Sequence, residues 1–188
     1  MSADISERAR QGLDHFVAAA VKNSLVASGE SCQLDAADDA DPKESDIAML
    51  TVSSYMFRVL MFIHFDRDPA TRAYIAALTG VPVDEMTGER YVDAMMERGN
   101  LCCGAFNRDL AVFYPHIGMS TPCMLKRNSA EHIQAVHPDY SRRFRAELAP
   151  GVVMHFSIAL CAFDDLDFAF EPRAAADEVE TAGELEMF

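Results

Sequence analysis

No run in this 188-residue chain approaches the ~20 uninterrupted apolar residues of a membrane-spanning helix, although half of its residues are hydrophobic. The start, Met1-Ser2-Ala3-Asp4, has neither the basic nor the apolar region of a secretory signal, so the expected location is the cytoplasm. Cysteine is sparse and poorly spaced for stapling. Of five, Cys102 and Cys103 are adjacent and no CxxC pair exists, which speaks against a disulfide framework or a zinc site. Positive charge is in short supply as well, 16 Lys and Arg against 30 Asp and Glu, for a net charge of -14. Nucleic acid and anionic membrane surfaces recruit proteins through Lys and Arg, so neither is an expected partner. The motifs GxxxxGK[ST], GxGxxG, GxSxG and HExxH are all missing, and the pairings His64 with Asp66 or His132 with His137 match no standard ligand spacing. No metal site and no cofactor of its own are expected; a small molecule or a protein partner is left.

What is present is a pattern of helices and strands long enough for one core, since a chain of this size buries about two-thirds of its unfolded surface. Apolar positions at Leu13, Phe16, Val17, Ala20, Val21 and Leu25 predict a first helix from Ile5 to about Ala27, with Gly29 to end it. The acidic stretch from Glu30 to Ser45 reads as a connection, with one short strand at Ser31 to Leu34. Two β-rich runs, Ile47 to Val52 and Phe57 to Phe65, predict antiparallel strands turning at Ser53, Ser54 and Tyr55. Asp68 and Pro69 then open a short helix that Gly80 closes. A second long helix should run from about Gly88 to Ala111, with Pro115 beyond it. Ile117 to Leu125 reads as a strand interrupted by Pro122, and Phe144 to Phe163 as a hairpin turning at Ala149-Pro150-Gly151. This order predicts an α+β domain, an antiparallel β-sheet with two long helices packed on one face, over residues 1–168. Residues 169–188 should form an acidic, flexible C-terminal tail.

The second long helix carries the chemistry. On a helical wheel Val92, Met95, Met96, Gly99, Cys102, Cys103, Phe106 and Leu110 make an apolar stripe, while Asp93, Glu97, Asn100 and Gly104 fall on the neighbouring face. Glu97 and Asn100 are three residues apart, about 4.5 Å in rise, so their side chains can address one target together. Asn is mildly unfavourable in mid-helix, and Gly104 weakens a helix by about 1 kcal/mol relative to alanine. A partner surface would account for both.

The stretch Glu97-Arg98-Gly99-Asn100-Leu101-Cys102-Cys103-Gly104 resembles the ExxN signature helix of the CheC/CheX family of chemotaxis phosphatases. The preceding strand pair and helix, and the serine-proline segment Met119-Ser120-Thr121-Pro122, extend the resemblance over roughly residues 5–165. A single ExxN helix is closer to the CheX branch, where dimers are common, which allows for a homodimer here. Arg98 and Gly99 stand where that family carries a hydrophobic and a small residue. The resemblance implies hydrolysis of the aspartyl phosphate of a CheY-type response-regulator receiver in two-component signalling, with Mg supplied by the receiver. It gives Glu97 the receiver's active-site lysine to pair with and Asn100 the attacking water to place; Asp93 and Gly104 would belong to the docking face. A catalytically silent module of the same fold that binds a receiver is the alternative.

Overall fold

The apolar periodicity at the N-terminus becomes α1, Glu7–Leu25, in a computed structural model that describes residues 3–27, 29–38, 42–130 and 133–170. Ser6 caps it by accepting from the Ala9 N–H, one of the donors a helix start leaves open. The helix ends before Gly29: Val26 is already extended, and the Tyr74 hydroxyl donates to the freed Leu25 carbonyl at 2.6 Å. The chain continues through β1 (Gln33–Ala36), β2 (Asp46–Ser53), β3 (Phe57–Phe65), α2 (Pro69–Thr79), α3 (Gly88–Ala111), β4 (Gly118–Met119) and β5 (Cys123–Lys126). A short α4 (Arg127–Ala130) and a 3-10 turn (Ile133–Val136) then lead to β6 (Tyr140–Ala149) and β7 (Val152–Ala162).

The strands form one antiparallel sheet in the order β1-β6-β7-β3-β2, and β4 and β5 share the outer edge of β2. The architecture is α+β, as the order of elements predicts. Alternation decides which face is buried. Ala48, Leu50 and Val52 of β2, Val59, Met61 and Ile63 of β3, Met154, Phe156, Ile158 and Leu160 of β7, and Phe144, Ala146 and Leu148 of β6 join the apolar faces of α1 and α3 in a single core. Among the described residues, the other face carries a smaller buried cluster, Ile47, Phe62 and Ala159. Beside it His64 Nε2 lies 3.0 Å from Ser157 Oγ, and His155 Nδ1 lies 2.5 Å from Glu44 Oε1.

Two details differ from the sequence reading. The short strand expected at Ser31 to Leu34 is found at Gln33–Ala36, because pairing with β6 sets its register, Gln33 facing Glu147 and Ala36 facing Phe144. The interrupted strand around Pro122 is two short strands, with Ser120 bridging the break. Its N–H donates to the Thr51 carbonyl at 2.9 Å, and its hydroxyl accepts from the Thr51 N–H at 3.0 Å. Of the expected tail, residues 171–188 lie outside the described residues; Phe170 still packs on the rings of His15 and Phe16.

Candidate functional site

The Thr87 hydroxyl accepts from the Arg90 N–H and starts α3, and Glu89 in the first turn and Arg108 in the last complement the helix dipole. Of the apolar stripe on the helical wheel, Met95, Gly99, Cys102, Cys103, Phe106 and Leu110 are buried and Val92 and Met96 half-buried, while Tyr91, outside that stripe, is buried as well. Cys102 and Cys103 belong to that stripe. Burial pushes both thiols up to about 12, so they stay protonated and pack as small hydrophobes. Tyr91 reaches past the stripe to donate to the Asp66 carbonyl at 2.6 Å, tying the helix to the loop after β3.

Glu97 lies exposed on the opposite side and Asn100 half-buried beside it, with Asp93 exposed one turn before and Gly104 half-buried one turn after. Among the described residues, Asp93, Glu97 and Asn100 have no hydrogen-bond or ion-pair partner. The predicted face therefore exists as one surface. Its carboxylate is free to accept from an incoming cation, and its amide is free both to donate and to accept.

Arg98 and Gly99, the two residues between them, turn inward. A Cβ on Gly99 would lie 3.3 Å from Leu50 Cδ1 and 3.6 Å from both Ala48 Cβ and Ile63 Cδ1, so the missing side chain lets α3 sit close against β2 and β3. The Arg98 Nη1 donates to the Ser24 carbonyl at 3.4 Å, and so holds α3 to the C-terminal turn of α1, where a cation is favoured. These residues anchor the helix under the site and leave the outer face to Glu97 and Asn100.

Gly104 differs from Gly99. A Cβ there would meet only Met119 Sδ, at 3.9 Å, an ordinary contact. Nothing inside the described fold requires glycine at this position. Gly104→Ala should accordingly raise the unfolding free energy by about 1 kcal/mol, measurable by urea or thermal denaturation, because alanine is the better helix former. A loss of stability would mean that the site is tighter than its neighbours indicate.

The helical wheel did not draw attention to two apolar side chains on this surface, Leu101 at 45% exposure and Met119 at 36%. Leu101 follows Asn100 directly and lies one turn from Glu97, a position that could have been read from spacing. Met119 could not, because only the pairing of β4 with the end of β2, Met119 opposite Val52, brings it alongside α3. Among the described residues no group of three or more His, Cys, Asp or Glu is arranged to hold a metal ion, and His64 is engaged with Ser157. No described helix is long and apolar enough to cross a membrane.

No protein-family model and no curated protein sequence matches the chain. Solved structures do. A chain of the CheX-CheY-BeF3-Mg complex from Borrelia burgdorferi superposes with a TM-score of 0.60 at 12% identity, over 81% of this chain and 97% of that one. The chemotaxis protein CheX from Vibrio vulnificus gives a TM-score of 0.55 at 13% identity, over 79% and 96%. A chemotaxis protein from Desulfovibrio vulgaris Hildenborough gives 0.53 at 15% identity, over 83% and 99%. At these identities the likeness is one of fold, and the fold matches that of the CheC/CheX family, CheX included.

Proposed function

We propose that this chain acts on a CheY-type receiver and hydrolyses its aspartyl phosphate. The observation that carries the reading is the unpaired couple Glu97 and Asn100, side by side on the outer face of a helix whose other side is locked into the core. The fold, shared with CheX structures of which one is a complex with CheY, BeF3 and Mg, makes a receiver the partner of choice.

Phosphoryl transfer through a loose transition state gains mainly from positioning and electrostatics, so little covalent chemistry is asked of the protein. The Glu97 carboxylate would pair with a lysine ammonium of the receiver and fix the register of the two surfaces. The Asn100 amide would accept from the attacking water and hold its oxygen in line with the phosphorus, which a carboxylate would do badly beside a phosphoryl dianion. Mg held by the receiver would neutralise charge on the phosphoryl oxygens. The residues of this chain would dock the receiver and orient the water.

The direct test is release of inorganic phosphate from a phosphorylated receiver with Mg, with and without this chain. Acceleration is the expected result. A receiver that binds yet releases phosphate at its intrinsic rate would make the protein a binding module and end the catalytic reading.

A further inference from the structure

Leu101 and Met119 lie on either side of Gly104: Leu101 is three residues before it on the exposed ridge of α3, and Met119 Sδ lies 3.9 Å from where a Cβ on Gly104 would be. We propose that these two side chains, with the bare backbone at Gly104 between them, form an apolar pad on which the receiver seats. On this view the pad sets affinity and partner choice, while Asn100 sets the rate. The inference rests on the receiver reading above and assigns a role to residues outside the Glu97 and Asn100 pair.

A single exposed leucine is ordinary on a protein surface. Three observations make this one part of a site. The first is contiguity, since Leu101 adjoins Asn100 and continues through Gly104 to Met119. The second is the glycine itself, which no contact in the described fold demands and which allows another backbone to come close. The third is charge. In a chain with a net charge of -14, the outer ridge between Glu97 and Arg108 carries only Asn100, Leu101 and Gly104, and the adjoining edge, Gly118 to Cys123, has no ionisable group other than the Cys123 thiol. Interfaces have this composition, apolar at the centre and charged at the rim. Here Asp93 and Glu97 stand at one end of the pad and Arg108 at the other, all exposed. A partner that places a lysine over Glu97 would lay the surface next to its phosphorylated site over Leu101 and Met119.

The experiment measures binding and turnover separately. Receivers encoded in the same genome, each as its Mg-beryllofluoride form, are titrated with wild type, Leu101→Lys, Met119→Lys and Asn100→Ala. Phosphate release is followed in parallel at varied receiver concentration. Both pad variants should bind roughly tenfold or more weakly, the loss expected for a lysine forced into an apolar contact, with KM raised and kcat unchanged. Asn100→Ala should leave binding within about threefold of wild type and lower kcat. Pad variants that bind as tightly as wild type, while Asn100→Ala still abolishes turnover, would overturn the pad and leave the catalytic reading standing. If wild type binds no receiver, both fall together. Both substitutions are on exposed positions, and unfolding midpoints equal to wild type would confirm that any loss belongs to the surface.

Discussion

Asn100→Ala should slow phosphate release from a bound, phosphorylated receiver by about a hundredfold, the scale on which removing one positioning or electrostatic group is felt in other enzymes. Receiver binding should stay within about threefold of wild type, because the interaction removed exists only once water is held for attack. The structure makes the substitution a clean one. Asn100 has no partner among the described residues, so its amide supports no internal hydrogen bond whose loss would disturb α3. Alanine is also the better helix former by about 0.7 kcal/mol or less, so the variant should be at least as stable as wild type. A gain in stability with a loss of turnover is the signature of a residue kept for function. Asn100→Asp sharpens the test: it keeps the shape and replaces the amide by a carboxylate, which repels the phosphoryl group, and it should be as slow as the alanine variant. Glu97→Ala should instead raise KM, since docking is the role given to the carboxylate. Single-turnover release at saturating receiver separates the two cases, and an Asn100→Ala rate equal to wild type would remove the water-placing role.

α3 shows what the sequence could and could not convey about this site. Its limits, its buried stripe and its polar outer face were legible because each is local: Thr87 caps the start, and apolar residues recur at helical spacing. The hairpin formed by β6 and β7 was legible for the same reason, with Gly151 at a positive φ in its turn. The reason for Gly99 was not legible. Between Glu97 and Asn100 it looks like a departure from the family's pattern, and only the approach of Leu50 and Ala48, some fifty residues earlier, and of Ile63, thirty-six earlier, shows that the helix needs it to seat. Arg98 is similar, since its carbonyl partner is on α1. The pad was half legible, Leu101 from spacing and Met119 only from strand pairing. Polar contacts across the sheet were invisible in sequence, because Glu44 with His155 and His64 with Ser157 are joined by register rather than by any motif.

That register sets up the second large effect, an acid-sensitive fold. Acidification from pH 7 to pH 4 should cost about 3 kcal/mol of folding stability through His64. Its ring is buried between β3 and β7, against Ser157 and across from His155, and burial pushes its pKa down to about 4; Glu44 pulls the other way, and His155 and Arg143 reinforce the shift. In the unfolded chain the same ring titrates near 6.5. Between these two values the unfolded state binds the proton and the folded state does not, so stability is complete above pH 6.5 and falls as the pH drops toward 4, by about 1.4 kcal/mol for each unit. For a domain of typical stability, roughly 5–15 kcal/mol, the loss is a fifth to more than half. Asp14, whose carboxyl burial pushes up, works in the opposite sense and offsets part of the loss as the pH falls. Desolvation would raise Glu44 and Asp46, but the bond to His155 holds Glu44, and Lys126 and Arg67 hold Asp46, below their ordinary values, so their contributions begin to fade only at the acid end of this range. Urea denaturation at intervals from pH 7.5 to 4.5 measures the slope, and His64→Gln, which can still hydrogen-bond Ser157 but cannot charge, should flatten it. An equal slope in that variant would place the acid sensitivity elsewhere. Because His64 sits on β3 next to Ile63, whose side chain faces Gly99 from the other side of the sheet, loosening this strand in acid should also unseat α3, and receiver binding should fall over the same pH window.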